Sequence, residues 1–219
     1  MSRAVLITTQ VLRRVLPVRT RKSDSNFTSC PASMTGVHIE PHPGQGVIAV
    51  ATNGIILASV YDPQGSAHQA CDCSITPSLE QLMRQRPDQI CFSGEHAWGL
   101  PAGVTSVDRP HNTDILFAPA IESATSKFPD WKSHIPTAIA PSCNGITLFD
   151  ATLLERLLSG FEKSERTQAH IYCSADTEAP YLVRLRGHAE FFGVIMPLGL
   201  ADASWDTRLP TWFEAAPHA

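Results

Sequence analysis

A pattern of one strand, one helix and several further strands recurs three times along this chain, with a period of roughly 70 residues. Each helix is preceded by a residue type that caps helix N-termini, at Thr8, Thr76 and Asp150. Pro77 suits the first position of the second helix, and Pro17 should end the first. Three helices among many antiparallel strands predict an α+β fold, with helices on one face of the sheets.

Strands are predicted where runs of apolar or alternating residues lie between turns rich in Gly and Pro. They are 4–7, 37–40, 47–52 and 55–61 in the first unit, 71–75, 89–93, 97–100, 104–107 and 115–117 in the second, and 146–149, 170–173, 181–186 and 190–196 in the third. Residues 118–141 contain four prolines and little periodicity, so they are interpreted as a connector. Residues 201–219 form a polar tail.

Charge and hydropathy exclude some classes of protein. A membrane span needs about 20 consecutive apolar residues, and no segment of the sequence approaches that length. No signal peptide is recognisable at the N-terminus. We therefore expect a cytoplasmic protein. The formal net charge of -4 argues against a wholly basic nucleic-acid binder, but it is compatible with a basic stripe on an acidic body.

The six cysteines are scattered, and we expect all of them to be reduced thiols. Cys71 and Cys73 form a C-x-C pair, but no second ligand pair follows at the spacing of a zinc site. We therefore predict no metal and no cofactor.

Sequence motifs of enzymes are not found. The chain has no G-x-S-x-G, no H-E-x-x-H and no phosphate-binding glycine loop, and Gly44-Gln45-Gly46 is interpreted as a hairpin turn because strands flank it. Cys91 or Cys143 with a distant histidine would be a conceivable nucleophile pair, but no partner is identifiable. A non-catalytic protein is the preferred interpretation, and an enzyme of unrecognised class is the least favoured alternative.

Three segments carry a resemblance to a known family: Val50-Ala51-Thr52-Asn53-Gly54, Ser126-Lys127-Phe128-Pro129-Asp130-Trp131 and Val194-Ile195-Met196-Pro197-Leu198. In this order they resemble the bacterial DNA sliding clamp, the β subunit of DNA polymerase III, in its middle domain, its interdomain connector and its C-terminal end. The chain departs from the family at Ile55-Ile56, where His-Arg is usual, and at Gly199, where Arg is usual.

The resemblance implies a clamp-like domain organisation. Residues 1–117 would form one complete clamp-like domain of two units, and 118–141 the connector. Residues 142–200 would form a half domain of one unit, followed by the 201–219 tail. The first domain of the family and half of its third would then have no counterpart.

The resemblance also implies two sets of site residues. An apolar pocket for short peptides of polymerases and repair proteins would be lined by Thr52, Gly54, Ile55, Leu57, Pro129, His134, Val194, Ile195, Met196, Pro197 and Leu198. Duplex DNA would face Arg13, Arg14, Arg84, Arg86, Arg156 and Lys163. Core packing is the alternative explanation for Ile55, Leu57, Val194 and Ile195, and a solvated helix face is the alternative for the cations.

These expectations describe a replication processivity factor. The alternative is a clamp relative that acts as an adaptor, decoy or regulator without encircling DNA. Replication or repair proteins are the expected partners, with duplex DNA bound without sequence specificity. An odd number of units predicts self-association, most simply as a dimer, with a larger ring as the alternative.

Overall fold

The computed structural model describes residues 4–24, 27–93, 96–103, 116–118, 127–136, 150–173 and 179–197. Its α-helices are α1 (Thr9–Val15), α2 (Pro77–Arg84) and α3 (Ala151–Leu158). Its strands are β1 (Val5–Thr8), β2 (Val37–Pro41), β3 (Val47–Thr52), β4 (Ile56–Asp62), β5 (Ser66–Ala67), β6 (Cys71–Cys73), β7 (Gln89–Ser93), β8 (His96–Leu100), β9 (Leu116–Ala118), β10 (Ala169–Tyr172), β11 (Tyr181–Leu185) and β12 (Phe191–Ile195).

Each helix begins at the residue that the sequence predicts as its cap. The side chains of Thr8 and Thr76 accept the N–H groups of Val11 and Leu79, at 3.4 and 3.2 Å. Asp150 accepts the N–H of Thr152 at 2.8 Å. The three predicted helix starts are therefore confirmed.

Most predicted strands are present with small differences at their ends. The strands at 47–52 and 89–93 agree at both ends, and β5 is an additional short strand. Pro17 lies in a 3₁₀ turn that follows α1, which confirms that the α-helix stops there. The predicted strands at 104–107 and 146–149 lie outside the described residues.

Two antiparallel sheets hold these strands, in the orders β5-β1-β7-β8-β9 and β10-β11-β12-β4-β3-β2-β6. The first two units exchange strands, since β1 pairs with β7 of the second unit and β6 pairs with β2 of the first. The third unit joins the larger sheet through β12, which pairs with β4. The α+β prediction with antiparallel sheets is confirmed.

The main core lies between the helices and the sheets. Leu12, Leu79 and Leu157, one from each helix, are fully buried in it. At the end of α3, Gly160 lies so close to α1 that an added Cβ would be 2.5 Å from the carbonyl oxygen of Arg13. The first and third units are therefore in close contact, with the backbone at Gly160 packed against the backbone of α1.

Four cysteines, Cys30, Cys71, Cys73 and Cys91, are free. Cys173 is disulfide-bonded, so the expectation that all six cysteines are reduced is wrong. Within the described part of the chain, no group of three or more His, Cys, Asp or Glu side chains is arranged to hold a metal ion. In the same residues, no helix has the length and apolarity to cross a membrane.

Candidate peptide-binding surface

A tight turn at residues 52–56 forms one edge of the candidate surface. The Asn53 side chain, 2% exposed, accepts the N–H groups of Ile55 and Ile56 at 3.0 and 2.9 Å. Thr52 donates its hydroxyl to the Ile56 carbonyl at 2.8 Å. Gly54 has a backbone φ of +86°, a value that residues other than glycine rarely adopt. The Thr-Asn-Gly sequence is therefore needed for the turn itself.

The end of β12 lies beside this turn. Val194 pairs with Leu57 and Ile195 with Ile56, and the Met196 N–H then donates to the Ile55 carbonyl at 2.9 Å. Ile55, Met196 and the following Pro197 are half-buried. Two segments that are far apart in the sequence thus meet at one apolar corner.

A row of cross-strand neighbours runs from this corner over the sheet face opposite the helices. Because paired residues of an antiparallel sheet point to the same face, these side chains share that surface. We call it the outer row: Thr52, Leu57, Val194, Leu182 and Tyr172. Leu57 and Val194 are 5% and 3% exposed, Leu182 is half-buried, and Tyr172 is 38% exposed.

The connector covers the buried end of the outer row. Phe128 and Trp131 are buried in a second apolar cluster with Val50, Leu57 and Val194. This cluster is separate from the main core and lies on the opposite face of the sheet. The two aromatic residues on either side of Pro129-Asp130 therefore attach the connector to both the first and the third unit.

Polar contacts fix residues 128–132 of the connector. The Phe128 N–H donates to Asp72 at 3.3 Å, and the Phe128 ring stacks on His38 at a centroid distance of 5.0 Å. Asp72 also contacts the His38 ring at 2.6 Å. Lys132 forms an ion pair with Glu40 at 2.8 Å, so the segment is held at both ends.

The structure brings several of the predicted pocket residues together and separates others. Thr52, Gly54, Ile55, Leu57, Val194, Met196 and Pro197 belong to the corner and the outer row. Ile195 is 1% exposed and belongs to the main core, so its prediction as a pocket residue is wrong. Pro129 is half-buried and His134 is exposed, both in the connector, whereas Leu198 lies outside the described residues.

Three residues that shape the surface were missed from the sequence as site residues: Phe128, Trp131 and Leu182. The first two belong to the Phe-Pro-Asp-Trp motif, but the motif does not show that both rings are buried. Leu182 lies in an ordinary strand pattern, and only the register of β11 places it beside Val194.

Arg14, predicted to face DNA, is instead inside the protein. It is 6% exposed, and its guanidinium contacts Glu165 and Glu190 at 2.8 Å each. It also lies over the Phe161 ring, 4.7 Å from its centroid. The prediction is therefore wrong for Arg14, because its charge is used to hold the third unit against α1.

The two carboxylates around Arg14 are favoured in their ionised form. Burial raises the pKa of Glu165, but the Glu162 N–H and the Arg14 guanidinium lower it by more, so that the net pKa is below the usual value. Burial likewise raises the pKa of Glu190, and hydrogen bonds together with Arg14 and His188 bring it below the usual value. The ion pairs of this cluster are therefore formed at neutral pH and are lost as the pH falls through the lowered pKa values of Glu165 and Glu190.

Arg156 is also bound internally. Its guanidinium contacts Asp24 at 2.8 Å and the carbonyl oxygens of Pro17 and Arg19 at 2.8 and 2.6 Å. These contacts compensate its charge, and because the side chain is 16% exposed its DNA-facing role stays a prediction. The remaining four cations, Arg13, Arg84, Arg86 and Lys163, are exposed. Arg13 and Arg86 both line a depression of about 640 Å³ beside α1.

Comparison with known proteins rests on structure alone. No family model matches the sequence, and no curated protein is significantly similar to it. The DNA polymerase III β subunit of Thermotoga maritima superposes with a TM-score of 0.62 over 90% of this chain, at 14% identity. The fold is that of the bacterial DNA sliding clamp.

Two further clamps agree with this result. The DNA polymerase III β chain of Streptococcus pneumoniae gives a TM-score of 0.62 at 14% identity over 91% of this chain. The sliding clamp of Pseudomonas aeruginosa gives 0.63 at 15% identity, also over 91%. The chain spans 66%, 65% and 67% of the three clamps, or about two thirds of their length. The sequence-based resemblance to this fold is confirmed.

Proposed function

We propose that this chain is a non-catalytic, clamp-like protein that binds short apolar peptide segments of replication or repair proteins. The observation that carries the proposal is the outer row, which leads from the corner formed by Ile55 and Met196 to the exposed ring of Tyr172. Such a surface provides apolar contact area for a peptide.

The architecture of the surface favours an extended or short peptide ligand. Leu57 and Val194 form a closed floor under the connector, whereas Leu182 and Tyr172 leave an accessible apolar strip beside it. Met196 is unbranched and flexible, which suits a surface that adapts to different peptides. His134, an exposed residue of the connector, would supply a polar contact at the rim.

A fluorescence anisotropy titration tests this proposal. The probe is a labelled peptide of about ten residues, polar except for two adjacent apolar residues at its C-terminus. Leu182→Ala should weaken binding about tenfold, which corresponds to about 1.4 kcal/mol of lost contact. Ile75→Ala is the matched control, because Ile75 is also half-buried but packs against the main core on the helix side. Equal affinities of the two variants, or an unmodified protein that does not bind the probe, would contradict the proposal.

A second proposed function, retention on duplex DNA, is favoured by the exposed cations Arg13, Arg84, Arg86 and Lys163. A closed assembly should stay on nicked circular DNA and leave it when the circle is cut. If cutting the circle does not change the amount of protein bound to the DNA, the protein acts instead as an adaptor, decoy or regulator without encircling DNA.

Domain organisation and assembly belong to the same proposal. We propose one complete clamp-like domain at 1–117, a connector at 118–141 and a half domain at 142–200, in a cytoplasmic protein that associates with itself. The strand exchange between the first two units supports their grouping in one domain, since each unit adds a strand to the sheet of the other.

A further inference from the structure

Two free cysteines lie side by side on β6, which among the described residues is the last strand of the larger sheet. The Sγ atoms of Cys71 and Cys73 are 3.7 Å apart, the distance of a weak S–H···S hydrogen bond. Residues two apart in a strand point to the same face. Here that face is the helix side, since Cys73 belongs to the main core and Cys71 packs against it. The two thiols are therefore in direct contact.

The spacing of the two cysteines allows a disulfide between them. Residues two apart in a strand have Cα atoms about 6.6 Å apart, and disulfides join Cα atoms that are about 4.4–6.8 Å apart. The Sγ atoms have to approach to about 2.05 Å, which requires side-chain rotation and a small contraction of the strand. Because the pair is near the upper limit of the range, the closed bond is strained, and strained disulfides are readily reduced. The geometry therefore suits reversible oxidation.

The surroundings of the two thiols assign them different roles. Cys71 is half-buried, whereas Cys73 is 4% exposed. The hydrogen bond with Cys73 lowers the pKa of the Cys71 thiol by more than burial and the Asp72 charge raise it. The same hydrogen bond, together with burial, raises the pKa of the Cys73 thiol. Cys71 is therefore the thiol that attacks a small disulfide first, and Cys73 is the one that reacts second.

Asp72, between the two cysteines, points to the opposite face of the sheet and holds the connector. Its carboxylate contacts the His38 ring at 2.6 Å and accepts the Phe128 N–H at 3.3 Å. A bond between Cys71 and Cys73 would enclose the Asp72 backbone in a small ring and shorten the strand there. The carboxylate then has to move relative to β2 and the connector. The longer of its two contacts, that with Phe128, is the one that this movement breaks first.

We propose that Cys71 and Cys73 are a reversible oxidation site for low-molecular-weight disulfides, and that closing their bond releases Phe128 of the connector from Asp72. The Cys71 thiolate attacks one sulfur of the oxidant, forms a mixed disulfide and expels one small thiolate. Cys73 then loses its proton and attacks the Cys71 sulfur, which expels the second small thiolate. The protons of the two cysteines pass through solvent to these thiolates. One protein S–S bond is formed, and the oxidant is reduced to two thiols.

Peptide mapping by mass spectrometry after incubation with glutathione disulfide tests the oxidation. In the unmodified protein, the peptide that carries Cys71 and Cys73 should lose the mass of two hydrogen atoms, and dithiothreitol should restore both thiols. Cys73→Ser should instead stop at a glutathione adduct on Cys71. Cys30→Ser is the matched control, because Cys30 is also free and half-buried, and this variant should form the same bond as the unmodified protein. Absence of the internal bond, or a lasting glutathione adduct on Cys71 of the unmodified protein, would overturn the proposal.

Hydrogen exchange of the Phe128 N–H measures the effect on the connector. Oxidation should raise its exchange rate about tenfold, the size expected for the loss of one hydrogen bond. In Asp72→Ala, the rate should already be raised in the reduced protein, and oxidation should change it no further. An unchanged rate in the oxidised, unmodified protein would refute the release of the connector. If Cys73→Ser or Asp72→Ala fails to fold, the mapping and the exchange rates of the unmodified protein decide, because neither needs a variant.

Discussion

Replacing Arg14 by methionine should lower the free energy of unfolding by about 3 kcal/mol. The guanidinium is 2.8 Å from both Glu165 and Glu190, and its side chain is 8% exposed. Removing one partner of a buried ion pair costs about 3–5 kcal/mol, because the other charge stays buried without compensation. The two carboxylates are 25% and 29% exposed, so water offsets part of this cost and the lower end applies. Methionine fills a similar volume over Phe161, which limits any cavity.

Urea unfolding followed by circular dichroism measures this loss. Arg84→Met is the matched control, since Arg84 is exposed on a helix of similar length and its removal should change stability by less than about 0.5 kcal/mol. Equal stabilities of the two variants would refute the conclusion that Arg14 joins the third unit to α1.

Other contacts make further predictions. Gly160→Ala should lower the melting temperature, because the new Cβ would be 2.5 Å from backbone atoms of α1, and an unchanged melting temperature would disprove this close packing. Trp131→Ala should cost about 3 kcal/mol in urea unfolding, since its ring is 6% exposed and lies 6.3 Å from the Phe192 ring; a loss below about 1 kcal/mol would show that the connector is not anchored there. The pKa values of Glu165 and Glu190 are below the usual 4.5, so the stability from their ionised forms is present above that pH and is lost as pH falls through the folded pKa values. Unfolding free energies measured between neutral pH and pH 3 should therefore fall less steeply in Arg14→Met than in the unmodified protein.

Features that depend on neighbouring residues could be predicted from the sequence. Thr8, Thr76 and Asp150 cap helices by bonds to N–H groups two or three residues away, so a short window contains both partners. The strand at 47–52 was predicted at both ends for a similar reason, because turn residues bound an apolar run.

The roles of the charged side chains could not be predicted from a short window of sequence. Arg14 has the spacing of an exposed helical cation, but its carboxylate partners are 151 and 176 residues away. Arg156 meets Asp24 across 132 residues. A helical pattern shows which residues share a face, and it does not show which distant side chains reach that face.

The sequence by itself therefore determined the three repeated units, their helix starts and the resemblance of three short segments to the sliding clamp. The tertiary structure decided how these units meet: β12 beside β4, Phe128 and Trp131 over the sheet, and β10 at an edge without a described neighbour. The physical reason is the range of the interactions. Caps and turns are satisfied within a few residues, whereas strand pairing, aromatic burial and ion pairs select their partners from the whole chain.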